Sequence, residues 1–204
     1  MCLLLAGAVA FGFAKRRSHI WQSRFFTGAS GMQKKEALHN VEMPDWVDVQ
    51  LIHIHNTART GTELDQINNV VIHYVGNPGS TAQNNRDYFD KESTTVSSHF
   101  VVGLEGEVIQ CLPLWERSAA SNRRNSDTVS IEVCHPDESG KFSETTYDAV
   151  VKLTAFLLKQ LDLSVEDVIR HYDITGKLCP LYYVEHEDAW ETLKKDLQTA
   201  LSAI

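Results

Sequence analysis

With 204 residues, 43% hydrophobic and 23% charged, the chain is long enough to bury the core of one ordinary globular domain. Its net charge of −8 is unevenly spread: residues 1–35 hold six basic and no acidic side chains, leaving 13 basic against 27 acidic residues, a net of −14, in the rest. So acidic a body argues against nucleic acid as a partner, and four scattered cysteines (Cys2, Cys111, Cys134, Cys179) without a C-x-x-C pair exclude a disulfide framework, a zinc ribbon and a thioredoxin-like motif.

In chain order, residues 2–14 form an apolar run. It is shorter than the roughly 20 residues of a membrane-spanning helix and has the length of a signal-peptide core. Its basic cluster, Lys15 to Arg17, follows the run instead of preceding it. Residues 1–35 therefore read as a leader or membrane-anchor segment with a basic flank, a misassigned start being the alternative. Residues 36–67 read as a linker and N-terminal extension, in which residues 47–54 alternate like an edge strand.

The compact part runs over residues 68–204. Residues 70–75 suit a buried strand, ended by the turn sequence Asn77-Pro78-Gly79-Ser80. Residues 81–91 suit a short helix. Residues 99–104 and 108–112 read as a hairpin with Gly106 in its connection. Residues 128–134 form a further strand, whose Cys134, like Cys111, reads as a buried thiol. The longest helix spans residues 145–161, with Thr145-x-x-Asp148 as its capping pattern and apolar residues almost all round. Ser164-x-x-Asp167 opens a short second helix. Trp190, Leu193, Leu197 and Leu201 recur at helical spacing and form the buried stripe of a C-terminal helix.

Of nine histidines, few stand where a metal is easily held. His73 lies inside an apolar strand, where a buried imidazole needs partners for both nitrogens; a metal plus a hydrogen bond, or two backbone groups, satisfies it. His171 and Cys179 flank a loop with Gly176, which permits a tight turn, and Pro180, which fixes the chain after the thiol. Two His and one Cys leave the fourth position of a zinc ion open, the arrangement of catalytic sites. Glu132 sits mid-strand between Ile131 and Val133, and alternation turns it to the face opposite them. A carboxylate there is costly unless that face is wet or the group serves as a general base. Lys177 reads as a loop cation, His99 as structural, and His53 and His55 as exposed or structural.

Taken together, these segments resemble the type 2 N-acetylmuramoyl-L-alanine amidase family, which includes phage lysins, bacterial cell-wall amidases and peptidoglycan recognition proteins. The resemblance runs from about Asn68 to Pro180: the strand with His73, Ser97-Ser98-His99-Phe100, the hairpin around Gly106, Ser130-Ile131-Glu132, and residues 171–180. It implies an α/β fold, a single domain with a central mixed β-sheet flanked by helices and a zinc site in a surface groove. It implies Zn2+ bound by His73, His171 and Cys179, with Glu132 as the catalytic carboxylate and Lys177 stabilising the transition state. Residues 68–204 are then the zinc amidase catalytic domain. The implied reaction is hydrolysis of the amide between N-acetylmuramic acid and L-alanine in peptidoglycan, outside the cell or in its envelope, or after release from the cytoplasm for a prophage lysin. Two departures stand out: Ser98 occupies a position where some members carry Tyr, and Ser118-Ala119-Ala120 replaces a common Trp-His pair. The alternative reading is a non-catalytic peptidoglycan-binding module, a state in which relatives commonly lose the Cys ligand; Cys179 is present. A peptidase of the H-E-x-x-H kind is argued against because that motif is missing.

Overall fold

The structure, a computed structural model, describes residues 38–54 and 58–204. The leader or anchor expected over residues 1–35, and His55, lie outside the described residues. Among those described, no helix is long and apolar enough to cross a membrane.

Six strands form one mixed sheet among the described residues: β1 (Val47–Val49), β2 (Asn69–Tyr74), β3 (Phe100–Val102), β4 (Val108–Gln110), β5 (Thr128–Val133) and β6 (Val168–Arg170), in the order β1-β4-β3-β5-β2-β6. Only β3 and β4 pair antiparallel; they form the expected hairpin. Gly106 in its connection has φ +80°, and a Cβ there would stand 3.1 Å from Thr145, so this turn needs glycine twice over. The other neighbours run parallel, so β5, β2 and β6 all point their C-terminal ends the same way.

Five complete helices accompany the sheet among the described residues: α1 (Ala82–Phe89), α2 (Glu144–Leu161), α3 (His171–Thr175), α4 (Leu181–Glu185) and α5 (Glu187–Ala203). Alternation along the strands divides two cores. Val70, Ile72, Ile131 and Val133 face α2 and α5, whose Leu153, Leu157, Trp190, Leu193 and Leu197 complete the larger core. Val101, Ile109, Cys111 and Cys134 face the other way and pack with Ala82 and Phe89 of α1 and with Ile52. Both cysteines are thus buried free thiols, as expected.

Two details differ from the sequence-based expectations. The cap of α2 is Ser143, whose hydroxyl accepts from the Thr146 amide at 3.2 Å; Thr145 and Asp148 lie inside the helix and are exposed. The helix expected after Ser164 is one 3-10 turn, Val165–Asp167, because the chain leaves it at once as β6, a strand too short for periodicity to reveal. The edge strand expected over residues 47–54 is β1, which pairs parallel with β4; Gln50 and Ile52 extend its bonding to Gln110 and Cys111, and Ile52, Ala58 and Leu64 are buried. Arg59 secures this segment, making a bidentate ion pair with Glu116 at 2.7 Å and a further bond to the Ile52 carbonyl.

Candidate metal centre

Three adjacent parallel strands deliver the site at their C-terminal ends, where open α/β sheets bind ligands. His73 is the penultimate residue of β2, and Glu132 stands beside it in register on β5. Both point to the α1 face, opposite the larger core. His171 follows the last residue of β6 directly. Helix α3 then turns at Gly176, φ +78°, and the chain returns until the Cys179 carbonyl accepts from the Tyr172 amide at 2.9 Å. That return places the thiol beside the two imidazoles.

His73, His171 and Cys179 each offer one donor atom, all within 4.8 Å of one another, and all three residues are buried. The Cys179 sulfur is 3.9 Å from His73 Nδ1, and the two ring centroids are 4.6 Å apart. Glu132 Oε1 is also 3.9 Å from His73 Nδ1, while its buried Oε2 makes no hydrogen bond among the described residues. Lys177 is exposed on the returning loop and lines the same groove.

Burial dominates the electrostatics. It holds His73 well below its ordinary pKa, with His171 and Lys177 adding to the effect, and it lowers His171 in the same direction. It pushes the Cys179 thiol up to about 12 and the Glu132 carboxyl up to about 8, Lys177 partly opposing both. Two neutral imidazoles and a thiol that gives up its proton only to a cation are a donor set for a soft divalent metal. Zinc bond lengths of about 2.0–2.3 Å put tetrahedral donors roughly 3.3–3.8 Å apart, so the triad needs little movement to close on an ion. The unpartnered Oε2 of Glu132 adds an acceptor beside the remaining opening. The residues fit zinc.

The surrounding groove encloses about 1170 Å³ and runs from the triad along α1, past Asn84, Tyr88 and Val96. Ala119 and Ala120 lie on its wall, so the small residues found in place of Trp-His leave it open.

The sequence signature of N-acetylmuramoyl-L-alanine amidase matches residues 63–181, more than half of the chain and all of the triad. The chain belongs to the N-acetylmuramoyl-L-alanine amidase family. Within it, the chain is 28% identical over 167 residues to the N-acetylmuramoyl-L-alanine amidase CwlL of Bacillus licheniformis, covering 74% of this chain and 46% of that protein. It is also 28% identical over 172 residues to the N-acetylmuramoyl-L-alanine amidase BlyA of Bacillus subtilis, again covering 74% and 46%. The chain thus spans about half the length of the curated relatives it matches. Its fold matches that of a mutant endolysin from Bacillus subtilis with a TM-score of 0.65 at 23% identity, over 74% of this chain and 97% of the other.

The other histidines singled out earlier stand elsewhere. His99 is fully buried; its Nδ1 accepts from the Ser130 amide at 3.0 Å and its Nε2 donates to the Glu116 carbonyl at 2.8 Å, a structural role. His53 is exposed and bonds Asp90. Ser98 donates to the Ser130 carbonyl at 2.9 Å, tying β3 to β5. Sequence reasoning missed Ser121 and Asn122, which contact the two imidazoles from a loop whose composition signals only a turn.

Proposed function

We propose that the chain is a zinc-dependent N-acetylmuramoyl-L-alanine amidase that hydrolyses the bond between N-acetylmuramic acid and L-alanine in peptidoglycan. The observation that carries this reading is the meeting of His73, His171 and Cys179 beside Glu132, whose buried Oε2 is unpartnered, inside the stretch that matches the amidase family. The names of the relatives support the substrate. Action outside the cell or in its envelope, or after release from a producing cell, fits that substrate, and residues 68–204 carry the catalytic domain in this reading.

His73, His171 and Cys179 would hold the ion. Zinc supplies, when bound, a Lewis acid that polarises a carbonyl and lowers the pKa of a water toward roughly 7. Glu132 accepts the proton of the attacking water and later passes it to the departing alanine amine, a task suited to a carboxyl whose pKa is raised toward neutrality. Lys177, on the groove rim, places a cation near the oxygen that gains charge, a contribution of about 3 kcal/mol to the barrier. The groove along α1 receives the glycan and stem peptide.

Mass spectrometry of digested peptidoglycan tests the reading. Expected products are a free lactyl carboxylate and peptides with a free alanine amine, lost on chelation and restored by zinc. Binding without release would instead favour the non-catalytic module. Glu132→Gln is expected to retain zinc and wall binding and to lose at least a hundredfold in turnover; near-normal turnover would remove it from the mechanism.

A further inference from the structure

The loop between β4 and β5 makes the polar contacts of both imidazoles on the side away from the thiol. Asn122 Oδ1 lies 2.8 Å from His171 Nε2. Because an amide oxygen only accepts, His171 carries its hydrogen on Nε2 and offers the lone pair on Nδ1. His73 is arranged alike: its Nε2 edge faces the fully buried Ser121 Oγ at 3.5 Å, while its Nδ1 lies 3.9 Å from both Cys179 Sγ and Glu132 Oε1. In both rings the Nε2 edge is turned to this loop, and Nδ1 is the nitrogen left for a cation.

The loop is itself tightly held. Asn122 has φ +52°, a left-handed conformation that non-glycine residues seldom adopt and that asparagine tolerates best. The Ser121 amide donates to Asn125 Oδ1 at 2.6 Å. Arg124, in the 3-10 turn Asn122–Arg124, grips both Asp127 oxygens at 2.7 and 2.9 Å and reaches Asn69 Oδ1 at 2.6 Å. Its carbonyl accepts from the Thr128 hydroxyl at 2.8 Å. The loop is thereby fastened to the first residues of β2 and β5, the two strands that carry His73 and Glu132.

We propose that Ser121 and Asn122 are positioning residues of the metal centre: Asn122 fixes His171 as the Nε2–H tautomer and Ser121 orients His73, so that both Nδ1 atoms are presented to a cation before it arrives. This inference rests on the reading of His73, His171 and Cys179 as ligands. Partners of this kind are worth about ten- to a hundredfold in metal affinity.

Two substitutions separate side chain from backbone. Asn122→Gly keeps the left-handed turn and removes the acceptor; Asn122→Asp keeps both. Nitrogen-15 NMR of the metal-free protein is expected to show His171 as Nε2–H in the wild type and as a tautomer mixture in the Gly variant. Chelator competition should show zinc bound about tenfold or more weaker by the Gly variant, with the Asp variant restored to wild-type affinity or tighter. The visible bands of the cobalt-loaded Gly variant should shift, and metal-free melting temperatures should stay within a few degrees. A wild-type His171 bearing its hydrogen on Nδ1, or a Gly variant binding zinc as tightly as the wild type, would overturn this inference alone. A wild-type chain that binds no zinc would overturn the ligand reading and this inference with it.

Discussion

A carboxyl held among apolar strands keeps its proton longer than one in water, and Glu132 makes that measurable. Its folded pKa of about 8 exceeds the ordinary 4.5, so its contribution to stability is complete below pH 4.5 and is lost as pH rises through 8. His73 and His171 work in the opposite sense: both are lowered from 6.5, so their contribution is present above 6.5 and lost as pH falls. Between pH 6.5 and 8, of these three groups only the carboxyl changes. Metal-free wild-type protein should therefore lose about 2 kcal/mol over that window, seen as a falling melting temperature, while Glu132→Gln stays level. An equal fall in both would assign the slope to other groups. At this scale His73 and Glu132 stood out as polar side chains inside apolar strands, whereas the spacing of His171 and Cys179 is undistinctive, and their joining with His73 was legible only through the family resemblance. Ser121 and Asn122 were not legible, because polar residues in a turn are ordinary and their value lies in which ring they face.

Among the elements, the strands were read from alternation and turn residues, and the sheet bears out five of them. The two misreadings have local causes. Ser143 and Thr145 both precede a helical run, and spacing alone does not distinguish them; the Ser143 backbone, at φ −63° and ψ 161°, is the one that is extended, as a cap requires. Strand β6 was invisible because three residues carry no period, and its place is fixed by pairing with β2 over Val70 to Ile72. Replacing the cap tests the first point. Ser143→Ala should cost about 1 kcal/mol, read as a lower denaturant midpoint at unchanged slope, and Ser143→Asp should recover it. Thr145→Ala, the sequence-based candidate, should leave the midpoint nearly unmoved.

For the molecule as a whole, a buried ion pair between Arg59 and Glu116 adds to the sheet bonds and apolar contacts that hold the N-terminal segment. Arg59 and Glu116 are both nearly inaccessible, and the Glu116 carbonyl also receives the His99 ring, so the pair links the N-terminal segment to the interior of the β3–β5 region. Removing one partner strands a buried charge: Arg59→Met should destabilise by about 3–5 kcal/mol, and adding Glu116→Leu should recover most of that loss in a double-mutant cycle. A cost below about 1 kcal/mol for the single change would mean that the segment is held by its sheet bonds and apolar contacts without the ion pair. The parallel pairing of β2 and β5 carries a different consequence. His73 and Glu132 are cross-strand neighbours, so their separation is set by the backbone spacing of a sheet, about 4.8 Å, and by no loop. The stretches that border the groove around residues 76–80 and 92–97 can therefore lengthen or change character between related chains while His73 and Glu132 keep their distance, whereas the 118–125 loop, which carries Ser121 and Asn122 to the two imidazoles, has no such freedom.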